Sequence, residues 1–440
     1  MLHRTDCSLP HDVIVLGGGT AGVAAAIQAG RAGAKTLLVE KTGMLGGTMT
    51  VGGVNNPGLF FAGTRQVIAG IGWEMVTRCL AEAGQEMPDA VRDLGKPFWQ
   101  RHVPVDRFLL PMLLDEMVVG AGVSVLFHTM VAAVAPADGQ SGWQVTLCTK
   151  SGLETQTCAV LIDCTGDATG AALAGLPLEI PEEAQPATLG CHATGYDPSQ
   201  LDSAAINRAF QAQVEAGRLR YTDVSFADGV PDVGRWLAKR GENCNHVLSG
   251  NARDSEGKTR LELAARRQLL ELHRFLRRQP GLERLRFEYV APECGVRETV
   301  TIRGKARVTL DDYTGGRVWD DAVCYAFYPI DLHIASGQGT DVRLLPDGIV
   351  PTVPRGALLP EGSRNFLVAG RCLSSDRLAN SALRVQATSM ATGQAAGALA
   401  ALAARAGIDS EAVPFADLDA LLGQHAAIVP ERDNGNGQHS

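Results

Sequence analysis

Six residues near the start of the 440-residue chain constrain its fold more than any other feature: Gly17-Gly18-Gly19-Thr20-Ala21-Gly22, a G-x-G-x-x-G. They follow His11 to Leu16, a short apolar run rich in branched residues, as a buried parallel strand is. They lead into an Ala-rich helical stretch, Ala21 to Ala32, and then a second strand, Thr36 to Glu40. The three glycines serve different ends. Gly17 permits the tight turn, Gly19 lets the backbone approach a pyrophosphate, and Gly22 lets helix and strand close up. The helix N-terminus then offers that pyrophosphate free N–H groups and the positive end of a dipole. Glu40 ends the second strand, where a carboxylate accepts hydrogen bonds from a ribose 2′-OH and repels a 2′-phosphate. A dinucleotide site is expected; the alternative is a plain glycine-rich turn.

Composition narrows what carries this unit. The length suits a large cofactor domain plus a smaller one, and 45% apolar with 20% charged residues is the make-up of a globular α/β enzyme. A net charge of −8 gives no attraction for a polyanion, so no nucleic-acid partner is expected. No run reaches the roughly 18 to 20 apolar residues of a membrane span, and the opening residues have no apolar secretion core. A cytoplasmic protein without a membrane partner is the expectation. The ten cysteines are scattered with no C-x-x-C, which argues for reduced thiols and against a metal site or a redox dithiol.

Residues beyond the fingerprint choose FAD over NAD. After Glu40-Lys41 comes a second glycine pair, Gly46-Gly47-Thr48, where flavoproteins of the glutathione-reductase type bring the chain close to the cofactor. Ala159 to Cys164 reads as a buried strand running into Thr165-Gly166-Asp167, which resembles the second flavin fingerprint of those folds. Val123 to Val134 and Trp143 to Cys148 have the β-rich character of a meander over the adenine, with Val131 at its edge. Asn365 to Gly370 gives one more strand, followed by Arg371 and a long helix from about Ser381 to Ala404 whose small residues suit packing on the first helix. Its N-terminus, Ser381 to Val385 with Leu383 and Arg384, is expected beside the flavin pyrimidine, where reduction develops negative charge.

The stretches GGGTAGVAAAIQAGRAGAKTLLVEK, GMLGGTMTVGGVNNPGLF, QVIAGIGWE, LIDCTGDATG, ECGVRET, YPIDLH and VAGRCLSSDRLANSALRVQATSMATGQAAG together identify a resemblance. The chain is similar, over most of its length, to the bacterial FAD-dependent oxidoreductase family related to the succinate dehydrogenase and fumarate reductase flavoproteins. The resemblance implies bound FAD, a two-electron reaction and a substrate domain inserted in the cofactor domain, but no particular substrate. Two departures matter. Thr48 to Phe61 lacks the thiol pair of disulfide reductases, and the last cofactor strand ends Ala369-Gly370-Arg371-Cys372 instead of in the Gly-Asp of aromatic hydroxylases. Thr48 and Met49 where covalent relatives offer a nucleophile point to non-covalent FAD.

The fold expected is therefore α/β: a Rossmann-type FAD-binding domain of the glutathione-reductase kind, 11–190 and 348–425, with an inserted smaller α+β substrate domain, 191–347, and a flexible tail, 426–440. The resemblance places two catalytic candidates in the second half. Arg297 (GVRET) would hold a carboxylate bidentately, and His333 (YPIDLH) would exchange a proton. Each has a structural alternative: Arg297 as an ion-pair partner of Glu298 or Asp311, His333 as a satisfied core histidine. Arg377 resembles the arginine that precedes the flavin-contacting Asn-Ser of the aspartate-oxidase branch and meets substrate there. Lys258 to Arg278 reads as a solvated amphipathic helix, with membrane-surface or partner contact as the alternative. The functional expectation is a dehydrogenase or oxidase moving a hydride between a small organic substrate and flavin N5, its electron acceptor unspecified. Against it stand an RNA-modifying or assembly flavoprotein and an FAD monooxygenase.

Overall fold

The computed structural model describes residues 11–137, 142–224, 232–248, 250–336 and 339–432. Strand β1 (His11–Leu16) runs parallel to β2 (Thr36–Val39), Val13 opposite Thr36 and Leu16 opposite Val39, with helix α1 (Thr20–Arg31) between them. Ser124–Leu126 extends the parallel edge beyond β2, and the long strand Gly152–Asp163 lies on the other side of β1. That strand is shared. Its first part pairs antiparallel with Trp143–Thr149, which pairs in turn with Met130–Pro136, while residues 161–163 pair parallel with Phe366–Val368. The result is a seven-stranded, mainly parallel sheet of the Rossmann type carrying a three-stranded meander. Val13, Ile14 and Val15 have no exposed surface because both sheet faces are covered, which is why β1 reads as a continuous apolar run.

Helix α1 is buried from Thr20 to Ala29 because a late helix, Gln386–Ala406, lies directly on it. A Cβ at Gly393 would sit 2.1 Å from the Ala21 carbonyl oxygen and one at Gly397 2.2 Å from that of Ala25. This contact of backbones tolerates no larger residue, and it ties the end of the chain to its beginning.

The single helix expected from Ser381 to Ala404 is two helices, Arg377–Leu383 and Gln386–Ala406, broken at Arg384 and Val385. Asp376 starts the first by accepting from the Ala379 amide at 2.8 Å, and Val385 starts the second in extended conformation. Ser381 and Leu383 therefore sit in the short first helix, wholly buried, Ser381 Oγ donating to the Leu378 carbonyl and accepting from the Asp331 amide.

The stretch 191–347 divides between two cores. Ala187 to Cys294 supply a separate core around Phe210, Trp236 and Leu272, whereas Val308, Tyr313 and Val323 to Ile330 bury against the main body. The amphipathic helix is Ser255–Leu276; it buries Leu261, Ala265, Leu269, Leu272 and Leu276 and pairs Arg260, Arg266 and Arg267 with acids one turn away. At the C-terminus the expected loose tail is held through Arg432: Ala427 to Val429 pack on the main core, and Arg432 meets Asp419 at 2.6 Å. Residues 433–440 of that tail, and Cys7, lie outside the described residues. No described helix is long and apolar enough to cross a membrane.

Candidate active site

A cavity of about 1360 Å³ is lined by the carboxyl ends of the parallel strands, the turn into α1 and the second core's lobe. This exceeds the roughly 300–1,000 Å³ of ordinary small-ligand pockets and gives room for a large cofactor and a second molecule. Gly17, Gly19, Glu40, Lys41, Gly47, Thr48, Val131, Thr165, Gly166, Asp167, Gly370, Arg371, Arg384 and Val385 line it, as do Arg297 and His333. Gly22, Gly46, Ser381, Leu383 and Arg377 do not.

The first group forms a cradle. A Cβ at Gly22 would lie 1.8 Å from the Gly17 carbonyl oxygen, so only glycine lets α1 start this close to β1, whereas Gly19 borders open space. Gly46 acts from behind, its amide donating to the Gly18 carbonyl at 2.8 Å. Glu40 is buried and fixed: one oxygen accepts from the Gly18 amide at 2.6 Å, the other from the Thr42 amide at 2.8 Å and hydroxyl at 2.7 Å. Arg371 reaches across to Asp167 at 2.6 Å and to the Val296 carbonyl, joining the last parallel strand to the second fingerprint. Eight basic against five acidic residues line a cavity in a chain of net charge −8, so its interior favours anionic contents. An open helix N-terminus, an immobilised acid for a ribose and a net positive lining fit FAD in shape and charge.

The second group is a buried polar cluster. Arg297 pairs with neither Glu298 nor Asp311. Its guanidinium donates to the Pro186 carbonyl at 2.6 Å and to His246 Nε2 at 3.2 Å. His246 thus carries its proton on Nδ1, which faces the Cys244 carbonyl at 3.3 Å, and its ring stacks on His333 at 5.5 Å. Glu298 is taken by Arg377, 3.0 Å away, which fixes that arginine outside the cavity.

His333 ends the strand Ile330–His333, with Nε2 3.5 Å from Asp331 Oδ2 and its amide donating to Gln185. Burial, and then the charge of Arg297, pull its pKa down to about 4 against the opposing pull of Asp331. At neutral pH it is an uncharged imidazole able to accept a proton. Burial alone would raise Asp331, but the hydrogen bond from His333 and the charges of Arg384 and Arg297 hold it well below the usual carboxylate range. Arg384 donates to the Asp331 carbonyl at 3.0 Å, and its buried Nε has no hydrogen-bond partner among the described residues.

Sequence reasoning misses several members of this cluster. Asp331 and Tyr328 lie within YPIDLH, where the histidine alone stands out as a proton carrier. His246 and His102 sit in no motif, and their place in the lining follows only from tertiary packing. Gln386 and Ser389 line the cavity because the helix restarts at Gln386, a break marked by neither glycine nor proline.

The parallel sheet, the glycine turn and the cradle define an enzyme built around a dinucleotide cofactor. The chain belongs to the FAD dependent oxidoreductase family, which matches residues 12–422; it is an oxidoreductase, and its cofactor is FAD. Over 54 residues it is 50% identical to a dihydrolipoyl dehydrogenase of Trypanosoma brucei brucei, a match covering 12% of this chain and 11% of that protein. Among solved structures it is similar to the OxyS anhydrotetracycline hydroxylase from Streptomyces rimosus, at 14% identity and TM-score 0.42, covering 95% of this chain and 66% of that one. It is also similar to a geranylgeranyl bacteriochlorophyll reductase-like protein from Thermoplasma acidophilum, at 14% identity and TM-score 0.41, covering 94% and 83%.

Proposed function

We propose that the protein is a dehydrogenase or oxidase of a small anionic organic molecule, related to the succinate dehydrogenase and fumarate reductase flavoproteins, with an FAD domain of the glutathione-reductase kind and a substrate lobe. The observation that carries this reading is that one cavity is lined by both the dinucleotide cradle and the Arg297, Asp331, His333, Arg384 cluster.

In this reading Gly17, Gly19 and the start of α1 take the pyrophosphate, Glu40 a ribose, Val131 the adenine edge, and Gly47, Thr48, Thr165, Gly166, Gly370 and Val385 the remaining contacts. Bound FAD supplies a two-electron acceptor. Arg297 orients the anionic or carbonyl end of the substrate, since a buried guanidinium keeps its charge. His333, neutral at pH 7, takes the proton released when the C–H bond is oxidised. Asp331 keeps the imidazole oriented and balances part of the arginine charge.

The test is an anaerobic screen of small 2-hydroxy acids, amino acids and saturated or unsaturated carboxylates against the FAD-loaded protein. The reading expects at least one of them to bleach the flavin absorbance. If none does, while co-purifying RNA is present in stoichiometric amounts, the reading fails.

A further inference from the structure

Resting on the carboxylate-binding reading of this cavity, we propose that its inner end selects a monocarboxylate carrying a flat apolar group, such as an aryl or conjugated alkenyl carboxylate, in preference to a dicarboxylate. The juxtaposition that points there is a buried arginine pair next to an uncharged aromatic wall.

Charge sets the number of carboxylates. Arg384 lies 3.9 Å from the Asp331 carboxylate, and Arg297 reaches the same acid through His246 and His333, which stack at 5.5 Å and of which His333 is 3.5 Å from Asp331; both guanidiniums stabilise the ionised Asp331. Glu298 also acts on Arg384 but is itself paired with Arg377, so two guanidiniums against Asp331 leave one positive charge, which a single anionic group neutralises; a second carboxylate at this end would be desolvated without a partner.

Shape and polarity set the rest of the molecule. Tyr328 lines the same cavity within electrostatic reach of Arg297, Arg384 and Asp331. Its hydroxyl is directed to His102 Nε2 at 3.1 Å, so the phenol meets the imidazole with its polar tip. The His102 ring lies 5.6 Å from that of Tyr328 at 30°, and Phe98 stands edge-on to Tyr328 at 5.7 Å and 87°. All three residues line the cavity. Lys239 and Arg101 lie near His102, Asp331 opposes them, and burial keeps the imidazole neutral at pH 7. The wall therefore presents ring surfaces instead of charge to a bound ligand. Ring surfaces of this kind favour a planar unsaturated partner over a flexible polar one.

The experiment is calorimetric titration of the FAD-loaded protein at pH 7 with benzoate, cyclohexanecarboxylate, acetate and succinate, repeated on Phe98→Leu and Tyr328→Leu. Benzoate is expected to bind at least about tenfold more tightly than acetate or succinate, and cyclohexanecarboxylate to fall between them. Each substitution is expected to cost benzoate about three- to tenfold while leaving acetate within twofold. Phe98→Leu keeps the test open where Tyr328→Leu disturbs folding, because the Tyr328 ring is buried in the main core and its hydroxyl pairs with His102. Benzoate binding no tighter than acetate, or succinate binding tightest, overturns the selectivity and leaves the carboxylate site standing. Absence of binding by all four overturns both.

Discussion

At the scale of single residues, His333 and Arg297 share one cavity and are expected to fail differently when removed. His333 acts on a proton in the chemical step, and a general base contributes about 10²- to 10⁴-fold. His333→Ala should keep FAD bound with near-normal absorbance while flavin reduction slows at least about tenfold, allowing for rescue by water. Arg297→Ala removes a charged contact worth about 1.5–3 kcal/mol, so it should chiefly raise the substrate concentration needed for half-maximal reduction. Rapid mixing separates the two, and a parent rate in His333→Ala makes that histidine structural. A second consequence is acid sensitivity. His102 and His333 are both held down to about 4, first by burial, whereas each titrates near 6.5 in an unfolded chain. Between about pH 4 and 6.5 the unfolded chain binds more protons, so stability rises with pH across that window and levels off above it, by on the order of 1–3 kcal/mol per histidine. Melting the loaded protein at pH 5 and pH 7 should show the lower midpoint at pH 5, with a smaller gap in His102→Gln. Equal midpoints in the parent would contradict the buried neutral histidines.

At the scale of elements, the seam between α1 and Gln386–Ala406 holds the cradle in place, because the helix that carries Gln386 and Ser389 at the cavity is positioned by its backbone contact with α1. Gly393→Leu forces a side chain into the Ala21 carbonyl; overpacking of this kind costs about 1–3 kcal/mol or more. It should lower both the melting midpoint and the FAD content, measured by absorbance after gel filtration. Gly19→Val makes a different change, since its side chain would enter open cavity without disturbing packing. It should remove FAD while the apo-protein melts near the parent apo midpoint, and retention of full flavin absorbance would refute this placement of the pyrophosphate. The strands and α1 are legible in the sequence because buried parallel strands and a glycine turn leave local signatures. The break at Arg384 and Val385 is not, because it is imposed from outside: Ala387 donates to the Pro57 carbonyl at 2.8 Å, and Val385 packs against Gly58. The partner of Arg297 is unreadable for the same reason, since His246 and Pro186 are distant in sequence and belong to no motif.

At the scale of the whole molecule, the first and last parts of the chain build one cofactor cradle, and the lobe of Ala187 to Cys294 covers it with its own core. A separate core lets that lobe vary its lining without disturbing the cradle, which is why the sequence announces the cofactor clearly and the substrate hardly at all. The purified protein should be yellow with about one FAD per chain, released into the supernatant on acid precipitation; flavin left in the pellet would contradict non-covalent binding. The most direct measurement is a crystal structure of the FAD-loaded protein. Its pyrophosphate is expected over Gly17, Gly19 and the start of α1, a ribose on Glu40, and the isoalloxazine ring in one space with Arg297 and His333. A ring turned away from those two residues, with the cluster walled off from it, would contradict a shared site for cofactor and substrate.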